Sequence, residues 1–135
     1  MRDINLHPES APSGALFVVL VLAALAGAAG VGLAATAAHR VESAGLATAA
    51  TMLMIHAGVV VALVAIGLRM SAPGAWAAVA GLMLVAVSLF SGDIALNTLV
   101  GRHLFPMAAP IGGSLLIASW IVVAGVAAWS YLRSR

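Results

Sequence analysis

Two ionisable side chains stand inside stretches that are otherwise apolar, His56 and Asp93, and any chemistry in this chain has to begin with them. An ionisable group at membrane depth is costly and is a functional suspect by default. His56 falls near the middle of the apolar run from about 44 to 68. Thr48 and Met52 precede it at four-residue steps, on a helical stripe expected to face the interior of a bundle. Its functional reading is proton handling. Its structural reading is a neutral imidazole hydrogen-bonded to a neighbouring helix, which avoids the penalty of a buried charge. Asp93 lies in the run from about 74 to 99, with Asn97 one helical turn further on and on the same face. It could belong to a proton or cation path. Alternatively it is hydrated near the interface, or paired with Arg40 or Arg102, because at 1.5 Å per residue it stands only about 10 Å from the polar boundary.

Together with His39, Arg40, Glu42, Asn97, Arg102 and His103, these two residues predict a polar cluster at one end of the molecule, suited to a lipid headgroup or to anchoring loops. Metal and haem chemistry are not expected. None of the four histidines is paired with another at the i, i+4 spacing that puts two ligands on one helix face, and His39 and His56 differ in depth by about half a helix. Cysteine is absent, which removes disulfide, iron–sulfur and thiolate chemistry. The sequence holds no phosphate-cradling glycine loop, serine elbow or paired carboxylate. No catalytic, cofactor or metal residue is therefore assigned. The chain is not expected to be an enzyme by itself, although it could be a subunit of one.

The elements that position these residues follow from composition. Of 135 residues 64% are hydrophobic and 7% charged, against about 25% charged in a soluble domain, so the solvent for most of the surface is lipid. All six basic residues are arginine. Without a basic stripe the net charge of +2 does not make a nucleic-acid binder. After a polar, proline-containing tail over 1–12, four apolar runs cover about 13–38, 44–68, 74–99 and 110–131, each long enough for the ~30 Å hydrocarbon core. They do not alternate as barrel strands would, and lipid demands internally paired backbone, so they are helices. The expected fold is an all-α integral membrane protein, a four-transmembrane-helix bundle with both termini on the same side, with a basic C-terminal end over 133–135. Although Arg2 and the following apolar run resemble a signal peptide, the uncharged stretch is too long for one, and a retained first helix is expected. Pro73 is placed to start the third helix and Pro110 the fourth.

Orientation and packing follow in turn. Arg2, Arg69, Arg133 and Arg135 share one side, against Arg40 and Arg102 on the other, which favours cytoplasmic termini. Trp76, Trp129 and Tyr131 fall at that same boundary, where aromatic rings settle, whereas Trp120 lies midway along the fourth helix and needs a partner for its N–H. Close helix approach in lipid calls for small residues. Ala23, Gly27, Ala28 and Gly32 on the first helix, Ala77 and Gly81 on the third, and Gly112 and Gly113 on the fourth are the candidates.

Leu89-Phe90-Ser91-Gly92, Pro110-Ile111-Gly112-Gly113 and Ser119-Trp120, with Ala38-His39 and His56, resemble in order and spacing the motifs of a small bacterial membrane protein family catalogued as domain of unknown function 423, which is similar to the eukaryotic transmembrane protein 256. The resemblance runs from about Gly30 to Trp129. Asp93 stands where the family has serine, Ser119 where it has glycine, and Leu33 to His39 replaces a Gly-Ala-Phe-Gly-Ala-His stretch. It implies a four-helix inner-membrane protein and gives weight to His39 and His56, but carries no activity. The expectation for function is a non-catalytic accessory or structural subunit, in contact with lipid and packed against a larger respiratory or transport complex or a second copy. The alternatives are a small transporter, channel or proton-handling protein using His56 and Asp93, or a lipid- or quinone-binding protein.

Overall fold

The computed structural model describes residues 14–70, 72–133 and 135; the polar tail over 1–12, Arg2 within it, lies outside these described residues. Four helices follow one another: α1 (Gly14–His39), α2 (Ala44–Gly67), α3 (Pro73–Val100) and α4 (Ala108–Arg133). With 24 to 28 residues each, they measure about 36 to 42 Å at 1.5 Å per residue, enough to cross a bilayer. All four are apolar enough to do so, and an even number of crossings leaves both termini on the same side.

The turns are set by a few residues. Ser43 caps α2, its hydroxyl accepting from the Leu46 N–H at 3.2 Å, which satisfies one of the donors left open at a helix start. Pro73 is the first residue of α3, where a missing N–H costs nothing. Gly101 ends α3 in the left-handed conformation (φ 71°), its N–H donating to Asn97 O at 2.9 Å, and only glycine takes this geometry without strain. Helix α4 begins at Ala108, two residues ahead of the expected Pro110. Proline fits there because the first helical N–H groups have no intrahelical acceptor. Met107 just before α4 also has a positive φ, 70°, so the 101–107 connection turns on a left-handed residue at each end.

Helices α1, α2 and α3 pack against one another, whereas α4 makes its close backbone approach to α3 and reaches α2 only through side chains. The four-helix bundle is therefore open along one side of α4. The core is drawn from all four helices: Leu16 and Ala23, Val60 and Val64, Met83 and Val87, and Leu116 are all buried.

Three points of close approach hold the helices. At Gly30 an added Cβ would stand 2.6 Å from Met54 Cγ and 3.3 Å from Ala50 O, so this is where α1 crosses α2. At Gly67 it would stand 2.8 Å from Trp76 Cβ and 3.2 Å from Leu16 Cδ2. At Gly112 it would stand 2.5 Å from Phe90 N and 2.9 Å from Ala86 O, backbone atoms of α3. Of the expected packing glycines, Gly112 is thus the tightest. Gly113 lies against the Phe90 ring, Gly27 makes ordinary contact with Ala57 (3.6 Å), and Gly81 only touches Val19 (3.9 Å). Gly32 and Ala28 do not pack: the buried face of α1 runs through Leu16, Ala23 and Gly30, and a four-residue step from Ala28 to Gly32 turns away from it.

Trp76 departs from its expected place as well. It is buried against Gly67 and Leu16, not set out in an aromatic belt, because the small Gly67 opposite leaves room for an indole between the helices. Trp129 and Tyr131 are exposed at the end of α4 as expected. The guanidinium of Arg133 lies over the Trp129 ring (4.1 Å) and that of Arg135 over Tyr131 (4.7 Å), each one turn away, which is a cation–π arrangement suited to the membrane boundary.

Candidate functional site

Asp93 is buried, with 2% of its surface exposed, and both carboxylate oxygens are engaged. His103 Nδ1 donates to Oδ2 at 2.9 Å and the Leu104 N–H donates to Oδ1 at 2.8 Å. The sequence led one to expect a carboxylate hydrated near the interface or paired with Arg40 or Arg102; instead it is buried and held by His103 and the Leu104 N–H. Gly101 reverses the chain immediately after α3, so the segment that returns over the end of the helix brings His103, not an arginine, above Asp93. A carboxylate accepting two such bonds latches the α3–α4 connection onto α3. Leu104 is thereby held above Gly92, where an added Cβ would be 3.7 Å from its Cδ1.

His56 is buried at mid-depth, and its ring is engaged on both nitrogens. Nδ1 donates to Met52 O at 2.8 Å, since a carbonyl can only accept; Nε2 then has the lone pair that accepts from Trp120 Nε1–H at 3.4 Å. The rings meet edge-on, 6.2 Å between centroids at 66°. These bonds describe a neutral imidazole tying α2 to α4, helices that make no backbone approach of their own. The depth match is visible in the numbering: His56 follows the first residue of α2, Ala44, by twelve residues, and Trp120 follows Ala108 by the same twelve. Trp120 has found the partner it needs although 46% of it is exposed. Thr48, on the same stripe as His56, is exposed and bonds its own helix at Ala44 O.

The expected polar cluster therefore divides. Asp93 and His103 meet, while His56 belongs to a separate α2–α4 contact. Asn97 is exposed on the next turn, its carbonyl capping α3. His39, Arg40, Glu42 and Arg102 are exposed, and among the described residues the arginines enter no ion pair. Two apolar hollows flank α3. A cleft of about 410 Å³ between α2 and α4 is lined by Met52, His56, Phe90 and Trp120. A groove of about 900 Å³ between α1 and α3 has Leu104 at its polar end. Neither is lined by both His56 and Asp93.

Three further hydroxyls bond their own helices: Thr36 donates to Gly32 O, Ser114 to Pro110 O and Ser119 to Leu115 O. What joins the parts is the α3–α4 seam. Phe90 from the Leu89–Gly92 motif is pressed on Gly112 and Gly113 from the Pro110–Gly113 motif, and Gly92 lies beneath Leu104. The motifs thus meet each other across this seam. Leu104, Gly30 and Gly67 are positions that sequence reasoning missed. Leu104 acts through its backbone N–H, which leaves no trace in residue type; Gly30 could have been found from its spacing of seven from Ala23.

Residues 26–113, well over half of the chain, match a family described as protein of unknown function (DUF423). The match takes in His39, His56, the Leu89–Gly92 motif, Asp93 and the Pro110–Gly113 motif, and it ends before Ser119-Trp120. No curated protein and no solved structure matches the chain.

Proposed function

The chain belongs to the DUF423 family, and from that premise we propose that it is a non-catalytic integral membrane protein that works by packing against a larger membrane complex, in a bacterial inner membrane with both termini cytoplasmic. One observation carries this reading: the two ionisable side chains buried within the helices are engaged in joining structural elements. His56 bonds Met52 and Trp120, and Asp93 bonds His103 and Leu104. A proton or cation carrier needs such groups facing a common water-accessible path. That α4 makes a close backbone approach to α3 and to no other helix supports the same reading, since it leaves much of the surface of α4 open to a partner.

The carrier reading makes the opposite prediction in vesicles. The protein reconstituted in liposomes under an imposed pH gradient or potassium diffusion potential will collapse it no faster than protein-free vesicles. His56→Leu and Asp93→Asn will leave that rate unchanged. A flux in the wild type that either substitution removes would overturn the proposal.

A further inference from the structure

The groove between α1 and α3 has a shape and a charge that the reading above does not use. Its α1 wall runs from Leu22 to Thr36, about 21 Å of helix, and its α3 wall from Leu84 to Gly92, about 12 Å. These lengths bracket one leaflet, roughly half of the ~30 Å hydrocarbon core. The lining is apolar apart from Thr36, whose hydroxyl is engaged on Gly32 O, and Ser88. The volume of about 900 Å³ is that of a ligand site.

The polar end is distinctive. Leu104, fixed by the Asp93 latch, stands at that end of the groove, and Arg102 is two residues before it on the same connection. Arg40 follows Thr36 by one helical turn at the end of the other wall. Both arginines are exposed and without an ion pair among the described residues. The buried carboxylate at this end, Asp93, is already held by His103 and the Leu104 N–H, and Glu42, the other carboxylate near this end, is exposed and pairs with neither arginine. An exposed arginine on each of the two segments that lead from this end of a leaflet-deep apolar groove complements one ligand chemistry: an acyl chain bearing a phosphate.

We propose that the α1–α3 groove is a site for an anionic phospholipid, one acyl chain lying along Leu25, Ala29, Gly32 and Leu89, the phosphate met by Arg102 and Arg40. Asp93 acts here as a positioning residue, because its hydrogen bonds fix where Leu104 and Arg102 stand. This assignment does not depend on the chain having a protein partner.

The full-length protein in nanodiscs of equimolar phosphatidylethanolamine and phosphatidylglycerol, released into mild detergent and weighed by native mass spectrometry, tests it. Wild type will retain phosphatidylglycerol over phosphatidylethanolamine, by about five-fold for each guanidinium engaged. Arg102→Ala will lower that preference by about five-fold and still retain lipid. Gly32→Phe will lose the retained lipid while keeping the wild-type melting temperature, because a Cβ at Gly32 meets nothing within 4 Å and the ring enters the groove. Equal retention of the two lipids by wild type, no retained lipid at all, or retention unchanged in Gly32→Phe would each overturn the site.

Discussion

Gly112→Leu will detach α4 from the rest of the molecule. The added Cβ would stand 2.5 Å from Phe90 N and 2.9 Å from both Ala86 O and Phe90 Cα, so what it meets is helix backbone, which cannot rotate aside as a side chain could. Even Gly112→Ala forces α3 and α4 apart and will cost about 1–3 kcal/mol, the usual range for overpacking. Leucine exceeds that, and beyond the α3 seam α4 has only the long His56–Trp120 side-chain bond to α2, with no close backbone approach to another helix, to retain it. Thermal unfolding in detergent will show a fall in melting temperature for alanine and a loss of the cooperative transition for leucine. Gly125→Leu, on the same helix but with open space around it, will unfold as wild type does. A Gly112→Leu protein that melts like the wild type would mean that α4 is not seated on Phe90.

Asp93→Ala will release the connection between α3 and α4. It removes two hydrogen bonds to a buried carboxylate and leaves the Leu104 N–H without an acceptor. Hydrogen bonds to a charged group contribute about 1.5–3 kcal/mol each, so a loss of roughly 2–4 kcal/mol is expected once exposed His103 is discounted. Asp93→Asn keeps an oxygen for the Leu104 N–H and will lose less. His103→Ala will lose least, since its side chain is 59% exposed and water replaces much of what it gives. Hydrogen exchange localises the effect: the Leu104 amide, protected in the wild type, will exchange rapidly in Asp93→Ala and remain protected in His103→Ala. Protection that survives in Asp93→Ala would show that the carboxylate does not hold this turn.

The four crossings were legible because lipid leaves a chain little choice. A run of some twenty apolar residues without alternation has to be a helix, and Pro73 marks a helix start through the one thing it lacks, an N–H. The placing of side chains was legible only in part. Trp120 was expected to need a partner and His56 to be hydrogen-bonded across helices, but joining the two required knowing that α2 and α4 start on the same side and at the same depth. For Asp93 the sequence offered an ion path, hydration near the interface or pairing with Arg40 or Arg102, because depth and charge are visible in a sequence, whereas the reversal at Gly101 that presents His103 and a backbone N–H is not. Small-residue spacing misled for a related reason. In an alanine-rich helix every face offers small residues, and only the bulk opposite, Met54 across from Gly30 or open groove beside Gly32, decides which face packs.

Whether the chain acts through a partner is decided by what touches α4 in its native membrane. A photoreactive amino acid at Ile117 or Ile121, side chains that are 68% and 69% exposed on α4, reports that neighbour directly in intact cells. Irradiation is expected to give a discrete adduct with one other membrane protein, in stoichiometric yield and at both positions. Adducts with lipid alone, or only with a second copy of this chain, would contradict the proposed role as an accessory subunit.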